Sequence, residues 1–171
     1  NYLKDKNTFT VTTGHQLNLF TGPLYFLYKI IDTIKICNEL KKKFPNNKFI
    51  PIYWMASEDH DFEEINFFKT LHKKFQWNIN SSGKVGELKT NSLEKVLKEI
   101  KLFFGNKSLN SKKIVELFEN SYLKHKNLSK ATFQLVNELF GCHGLLILNT
   151  DSKKFKEIFI DDFIDEIKHQ T

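Results

Sequence analysis

The chain has 171 residues and a mass of 20.2 kDa, and 40% of its residues are hydrophobic, enough for one domain to bury a core without disulfide staples. Its formal charge of +6 admits a polyanionic partner, but every cation other than histidine is lysine. With no arginine for bidentate contacts to phosphate or guanine, and with the lysines spread along helical patterns, a solvated surface is the better reading and no nucleic-acid partner is expected. Cys37 and Cys142 lie far apart with no signal-peptide pattern, which fits a reducing compartment, and no apolar run is long enough to cross a bilayer. A cytoplasmic protein without a membrane partner is the expectation. The chain opens on Asn1 rather than Met and closes on Thr171 directly after a helical pattern, so it reads as a piece of a longer polypeptide.

In chain order, Thr8 to Thr13 is β-branched and aromatic and predicts a strand. A loop follows with two glycines, a histidine and a glutamine. Gly22-Pro23 reads as a helix start, with Gly22 at the cap and Pro23 in the first turn, and Leu24, Leu27, Ile31, Ile34 and Leu40 recur at helical spacing up to Phe44. Phe49 to Ala56 is a nearly continuous apolar run, as expected of a strand buried on both faces, with Pro51 marking an early position or a bulge. Strand, crossover helix and strand make a right-handed βαβ unit, which brings the loops after both strands to one carboxyl edge. Phe75 to Asn80 reads as a short strand, and Ser92 to Phe104, Ser111 to Tyr122 and Leu128 to Phe140 as helices. Gly144 to Asn149 returns to a buried strand, and a helix runs from Ser152 to about Lys168. Residues 1–72 therefore form the first βαβ part of an α/β core, 73–140 a mainly helical insertion, and 141–171 the return strand and helix.

Two stretches carry the chemistry. A helix N-terminus offers free N–H groups and a positive dipole end, and glycines let a phosphate approach the backbone after the first strand. Tyr25 and Tyr28 lie on one side of that helix with Lys29 beside them. After the second strand comes Ser57-Glu58-Asp59-His60-Asp61, four consecutive ionisable residues that are costly in a crevice unless they bind something. Asp61 with Glu64 also fits a capping box, which explains those two residues without a ligand. His15, Asp59, His60 and Asp61 make a tempting metal set, but no H-E-x-x-H or paired-cysteine spacing supports it, so no zinc and no metal ligand is expected. Mg2+ accompanying a nucleotide needs only one or two carboxylates.

At Thr13-Gly14-His15-Gln16 with Leu19, at Thr21-Gly22-Pro23-Leu24-Tyr25 with Lys29, and at Trp54 followed by Glu58-Asp59-His60-Asp61 and Glu64-Ile65-Asn66, the sequence resembles the bacillithiol-biosynthesis cysteine-adding enzymes, or cysteine ligases. Gly144 to Leu148 leading to Asp151 fits that family's next core strand. The resemblance implies a partial Rossmann-like core akin to class I aminoacyl-tRNA synthetases, an inserted connective domain, and a homodimer formed through a coiled coil outside this chain. It implies amide formation between cysteine and glucosaminyl malate, with ATP as co-substrate and these small molecules as partners. The nucleotide-binding candidates are Thr13, Gly14, His15, Gln16, Thr21, Gly22 and Lys29. Those for the other substrates are Glu58, Asp59, His60, Asp61, Asn149 and Asp151, the last two only if the third strand is parallel. Tyr25, Tyr28, Asp59 and His60 are the catalytic candidates, the tyrosines standing where the synthetase-like signature has histidines. A tRNA-related or other nucleic-acid-binding Rossmann-like module and a non-catalytic fragment are the alternatives.

Overall fold

The computed structural model describes residues 2–105 and 108–169. In chain order the first elements are β1 (Thr8–His15), α1 (Leu24–Lys43), β2 (Lys48–Met55), α2 (Phe62–Ile65), β3 (Phe67–Lys69) and β4 (Lys74–Gln76). They are followed by α3 (Glu94–Phe104), α4 (Leu109–Phe118), α5 (Leu128–Phe140), β5 (Leu146–Asn149), α6 (Lys153–Glu157) and α7 (Ile160–His169). β1, β2 and β5 form a three-stranded sheet in that order, and both pairings are parallel. Parallel neighbours need a crossover, which α1 supplies between β1 and β2 and the whole segment from α2 to α5 supplies between β2 and β5. The fold is α/β with a Rossmann-like parallel sheet.

Several boundaries differ from the sequence reading for identifiable reasons. β1 runs on through Gly14 and His15 because β2 continues opposite them, Gly14 facing Trp54 and His15 facing Met55. Pro23 is the N-cap of α1 rather than a first-turn residue, and Gly22 stands before it at φ +50°. The buried stripe of α1 is Phe26, Ile30, Thr33 and Cys37, whereas Leu24 and Ile31 are 62% and 46% exposed. The helix carries two adjoining apolar stripes, and the sheet takes the one whose Phe26 ring meets Tyr53 edge-on at 5.5 Å.

β2 is buried on one face only. Phe49, Tyr53 and Met55 are buried, Ile50 and Ile52 are half-buried, and Trp54 is 40% exposed, meeting only the edge of Phe155 from α6 at 5.9 Å among the described rings. Pro51 sits in an unbroken register opposite Val11, just before the segment that pairs with β5, so it makes no bulge. β5 is shorter than expected; among the described residues it pairs with β2 alone, and Leu146 is 41% exposed there. The expected last helix is broken into α6 and α7, and the apolar side chains of α7 are exposed.

The expected strand at Phe75 to Asn80 shortens to β4, which pairs antiparallel with β3. α3 starts later than Ser92, whose hydroxyl instead accepts the indole N–H of Trp77 at 2.8 Å. α4 is capped by Ser108 and α5 by Asn127, whose side chains accept from Ser111 N and Lys130 N. Beyond α4 the backbone passes into a π-turn, Glu119–Leu123.

This long segment clamps both loops of the sheet edge. Val85 N donates to Asp59 O at 2.7 Å and Gly86 N to Ser57 O at 3.0 Å, and a Cβ on Gly86 would stand 2.4 Å from Ser129 Oγ and 2.7 Å from Ser57 O. On the other side the buried Tyr122 hydroxyl accepts Phe20 N at 2.7 Å. Phe20, Thr21 and Gly22 follow one another at φ +47°, +70° and +50°, a run of left-handed backbone that non-glycine residues keep only where the surroundings impose it. Buried Leu17 and Leu19, with the Phe20 ring against Phe68 and Phe118, hold the loop there.

The two loop glycines have different requirements. A Cβ on Gly14 would meet nothing nearer than 3.8 Å, whereas on Gly22 it would lie 2.5 Å from Asn18 Cβ. Gly14→Ala is expected to change the stability of the full-length protein by less than about 1 kcal/mol, while Gly22→Ala costs more than that, read as the shift in urea midpoint at constant slope.

Candidate active site

The sheet edge is built by the ends of β1 and β2. Ala56 N donates to His15 O at 3.1 Å, so the chain leaves both strands side by side and the two loops start in contact. Gln16 spans the gap: its Nε2 donates to Asp59 Oδ2 at 2.7 Å and to Glu64 Oε2 at 2.9 Å, which uses both amide hydrogens. The other Asp59 oxygen accepts His60 N at 2.7 Å and Asp61 N at 3.1 Å, closing the turn that carries the acidic run. The hydrogen bond from Gln16, then that from Asp61 N, hold the Asp59 carboxyl below the usual carboxylate range against a smaller opposing effect of burial.

The capping-box reading of Asp61 is corrected here. Asp61 occupies the N-cap of α2, but its side chain makes no cap hydrogen bond, because Asp59 already supplies the acceptor for this turn. α2 is only four residues long, and Asp61 and Glu64 line a cavity instead.

That cavity, of about 820 Å³, lies between the first turn of α1 and the acidic segment, with Gln16, Asn18, Tyr25, Asp61, Glu63 and Glu64 among its lining residues. Asn18 is 4% exposed; its Nδ2 donates to Glu64 O at 3.3 Å, and its side chain also interacts with the His15 ring. Pro23 gives α1 no side-chain cap, so the N–H groups of Leu24 and Tyr25, which also line the cavity, have no partner within the helix. Lys69 is the one lysine in its wall. The cavity is therefore rich in hydrogen-bond acceptors and negative charge, with a helix N-terminus at one side.

The remaining candidates divide among other environments. His15 is buried, its ring 5.0 Å from both Tyr25 and Phe26 and its Nδ1 3.1 Å from Gln16 O. Lys29 Nζ donates to Gly14 O rather than to the cavity, Tyr28 is exposed outside the lining, and Thr13 lies within β1. Thr21 lines a smaller neighbouring hollow with Phe20 and Phe68. His60 is exposed beside the cavity-lining Asp61.

The rest of the acidic run points toward β5. Glu58 pairs with Lys156, which also binds Asp151 at 2.7 Å, and Lys84 reaches the same Asp151 oxygen at 2.8 Å. Burial raises the Asp151 carboxyl, but the hydrogen bonds and charges of Lys156 and Lys84 outweigh it and hold the group low. Asn149 Oδ1 accepts Ser57 Oγ at 2.9 Å, and Thr150 Oγ1 donates to Met55 O at 2.9 Å. β5 is parallel to β2, so Asn149 and Asp151 reach this edge, yet they join a lysine-bridged cluster beside the cavity instead of lining it. Among the described residues no group of three or more His, Cys, Asp and Glu is placed to hold a metal, and the His15 ring packs against Tyr25 and Phe26.

Asn18, Lys84, Lys156 and Tyr122 were not legible as site residues. Asn18 stands in the opening loop two positions after Gln16, whereas the other three arrive from distant segments and carry no local signal.

The shifted groups set a pH dependence. Burial depresses His15, so the unfolded chain binds its proton first: the stability His15 contributes is present above the unfolded value of about 6.5 and is lost as the pH falls through the depressed folded value. Depressed Asp59 and Asp151 contribute above about pH 4 and lose that contribution as the pH falls through their folded values. Urea midpoints should therefore fall as the pH drops below about 6.5 in the native protein, and His15→Phe should flatten this limb while leaving the acid limb below about pH 4 in place.

The family model described as "Bacillithiol biosynthesis BshC, N-terminal Rossmann-like domain" matches residues 1–171. Proteins named "Putative cysteine ligase BshC" from Flavobacterium johnsoniae and Flavobacterium psychrophilum are 53% and 54% identical over 97% and 99% of this chain. One of the same name from Bacillus anthracis is 28% identical over 94% of it. The chain spans 31–32% of the length of these curated relatives. With a parallel β1-β2-β5 sheet and a match across every residue, this chain belongs to the BshC family, as its N-terminal Rossmann-like domain.

Proposed function

We propose that this domain holds the acceptor side of a ligase site that joins the carboxyl group of cysteine to the amine of glucosaminyl malate, with ATP as co-substrate, to make bacillithiol. One observation carries the reading: the carboxylates of Asp61, Glu63 and Glu64 line one cavity with the first turn of α1, which has no side-chain cap. An amino sugar brings suitable donors for these carboxylates, its hydroxyl groups and its ammonium. Amide formation needs that amine unprotonated, and the wall offers carboxylates to take the proton as the nitrogen attacks the acyl carbon and the activating group leaves.

ATP supplies the activation that a free carboxylate lacks. The N–H groups of Leu24 and Tyr25 at the start of the 20-residue α1 suit a phosphate oxygen, and the carboxylates beside them suit a Mg2+ ion carried in with the nucleotide. Without that cation the acidic wall would repel a polyphosphate, which lysine 69 alone does not offset. Lys29 and His15, held by Gly14 O and by two aromatic rings, act here by shaping the loop.

The test is mass spectrometry of the full-length protein incubated with ATP, cysteine and glucosaminyl malate. Bacillithiol should form above the control without enzyme, and its absence overturns the reading. Asp61→Asn should lower kcat/KM for glucosaminyl malate roughly tenfold or more while leaving the urea midpoint unchanged, because the side chain caps nothing. Asp59→Asn should lose stability as well as activity, since this carboxylate holds Gln16 and the turn.

A further inference from the structure

Two pairs of carboxylates stand at the sheet edge, and they are bridged in different ways. Glu58 and Asp151 are joined by Lys156, and Lys84 adds a second cation on Asp151. Asp59 and Glu64 are joined by Gln16, whose Nε2 stands 2.7 Å from Asp59 Oδ2 and 2.9 Å from Glu64 Oε2. Ionised carboxylates only accept hydrogen bonds, so the amide nitrogen and not its oxygen must face them, and one nitrogen with two hydrogens serves both. Among the described residues neither Asp59 nor Glu64 forms an ion pair.

Without a donor between them, two carboxylates around one point repel, and the pair takes up a proton or moves apart. A lysine in place of the glutamine would also hold them, but it would bring a positive charge into the wall. The amide holds them and adds no charge. Gln16 and Glu64 both line the cavity of about 820 Å³, together with Asp61 and Glu63. Lys69, the one lysine in that wall, lies over the Phe67 ring at 5.6 Å rather than in an ion pair with Glu64.

We propose that Gln16 is a positioning residue that makes the cavity selective for a substrate entering with a cationic amine: it holds the Glu64 carboxylate in the wall without supplying a cation that would compete for it. This rests on the reading that the cavity takes the amine-bearing substrate. An ammonium group meets its counter-ion at this wall without displacing a lysine, and its hydrogen bonds to carboxylates are charge-assisted. The same substrate with its nitrogen acylated carries no charge there and gains nothing from the uncharged bridge. Selectivity, and not stability alone, is what glutamine in place of lysine decides.

Glucosaminyl malate and its N-acetylated derivative are the probes, titrated calorimetrically into the full-length protein without nucleotide. The native protein should bind the amine about tenfold or more tightly than the acetylated form. Gln16→Lys keeps donors for both carboxylates, so its urea midpoint should stay at or above the native value while the preference for the amine falls to about threefold or less. A role in holding the loops alone predicts native selectivity for this variant. Glu64→Gln removes the carboxylate from an exposed position and keeps an acceptor for Gln16, so it should narrow the preference in the same way, and it decides the question if Gln16→Lys lowers the midpoint. Equal binding of the two probes by the native protein, or binding of neither, overturns the proposal, as does a preference that a folded Gln16→Lys, or Glu64→Gln in its place, leaves at the native value. Selective binding without bacillithiol formation overturns the ligase reading and leaves this one standing; bacillithiol formation without that selectivity does the reverse.

Discussion

The parallel register of β1 on β2 is the constraint on which the rest depends. Because the two strands run together without a bulge to His15 opposite Met55, their loops must emerge at one edge, and Gln16 is within reach of Asp59 and Glu64 before any ligand is considered. A slip of one residue would exchange the buried Phe49, Tyr53 and Met55 for Ile50, Ile52 and Trp54 against α1. The same slip would draw the amide of Gln16 off its carboxylates. Core burial and site geometry are therefore fixed by one register.

The helical segment does more than interrupt the sheet. Its Val85-Gly86 turn binds the backbone of the acidic loop, its Lys84 reaches Asp151, and its Tyr122 holds the opening loop. These contacts explain how Phe20 and Thr21, without the freedom of glycine, stay in left-handed backbone: the aromatic packing of Phe20 on Phe68 and Phe118 offsets the cost locally. The division of the carboxylates follows from the same contacts. Lysines from both sides draw Glu58 and Asp151 into an ion-paired cluster, while Asp61, Glu63 and Glu64 line the cavity.

Much of the core was legible because its signals are local. The apolar run of β2, the β-branched β1 and the helical spacing between them determine a βαβ unit, and that unit places the two loops. What depends on distant partners was not. The buried stripe of α1 could not be told from its neighbour, since both are apolar and only the sheet selects between them. Asp61 matched a capping pattern by spacing alone, but the turn that Asp59 closes left it no cap to make. β5 read as buried from its composition, but burial depends on what lies beside a strand, and among the described residues it has one neighbour, β2. Lys84 and Lys156 were invisible because charge in a lysine-rich chain carries no positional information until the chain is folded.

The length of the crossover between β2 and β5 has a kinetic consequence. Ser57 and Asn149 are 92 residues apart in the chain, and closing so large a loop costs entropy before any of its contacts reward it. β1, α1 and β2 can meet early through short-range contacts, and the helices between can condense on their own apolar faces, but β5 docks only once that intervening mass has collapsed to a span the strand can bridge. Asn149, Thr150 and Asp151 arrive with it, so the lysine-bridged side of the sheet edge matures after the side that Gln16 closes.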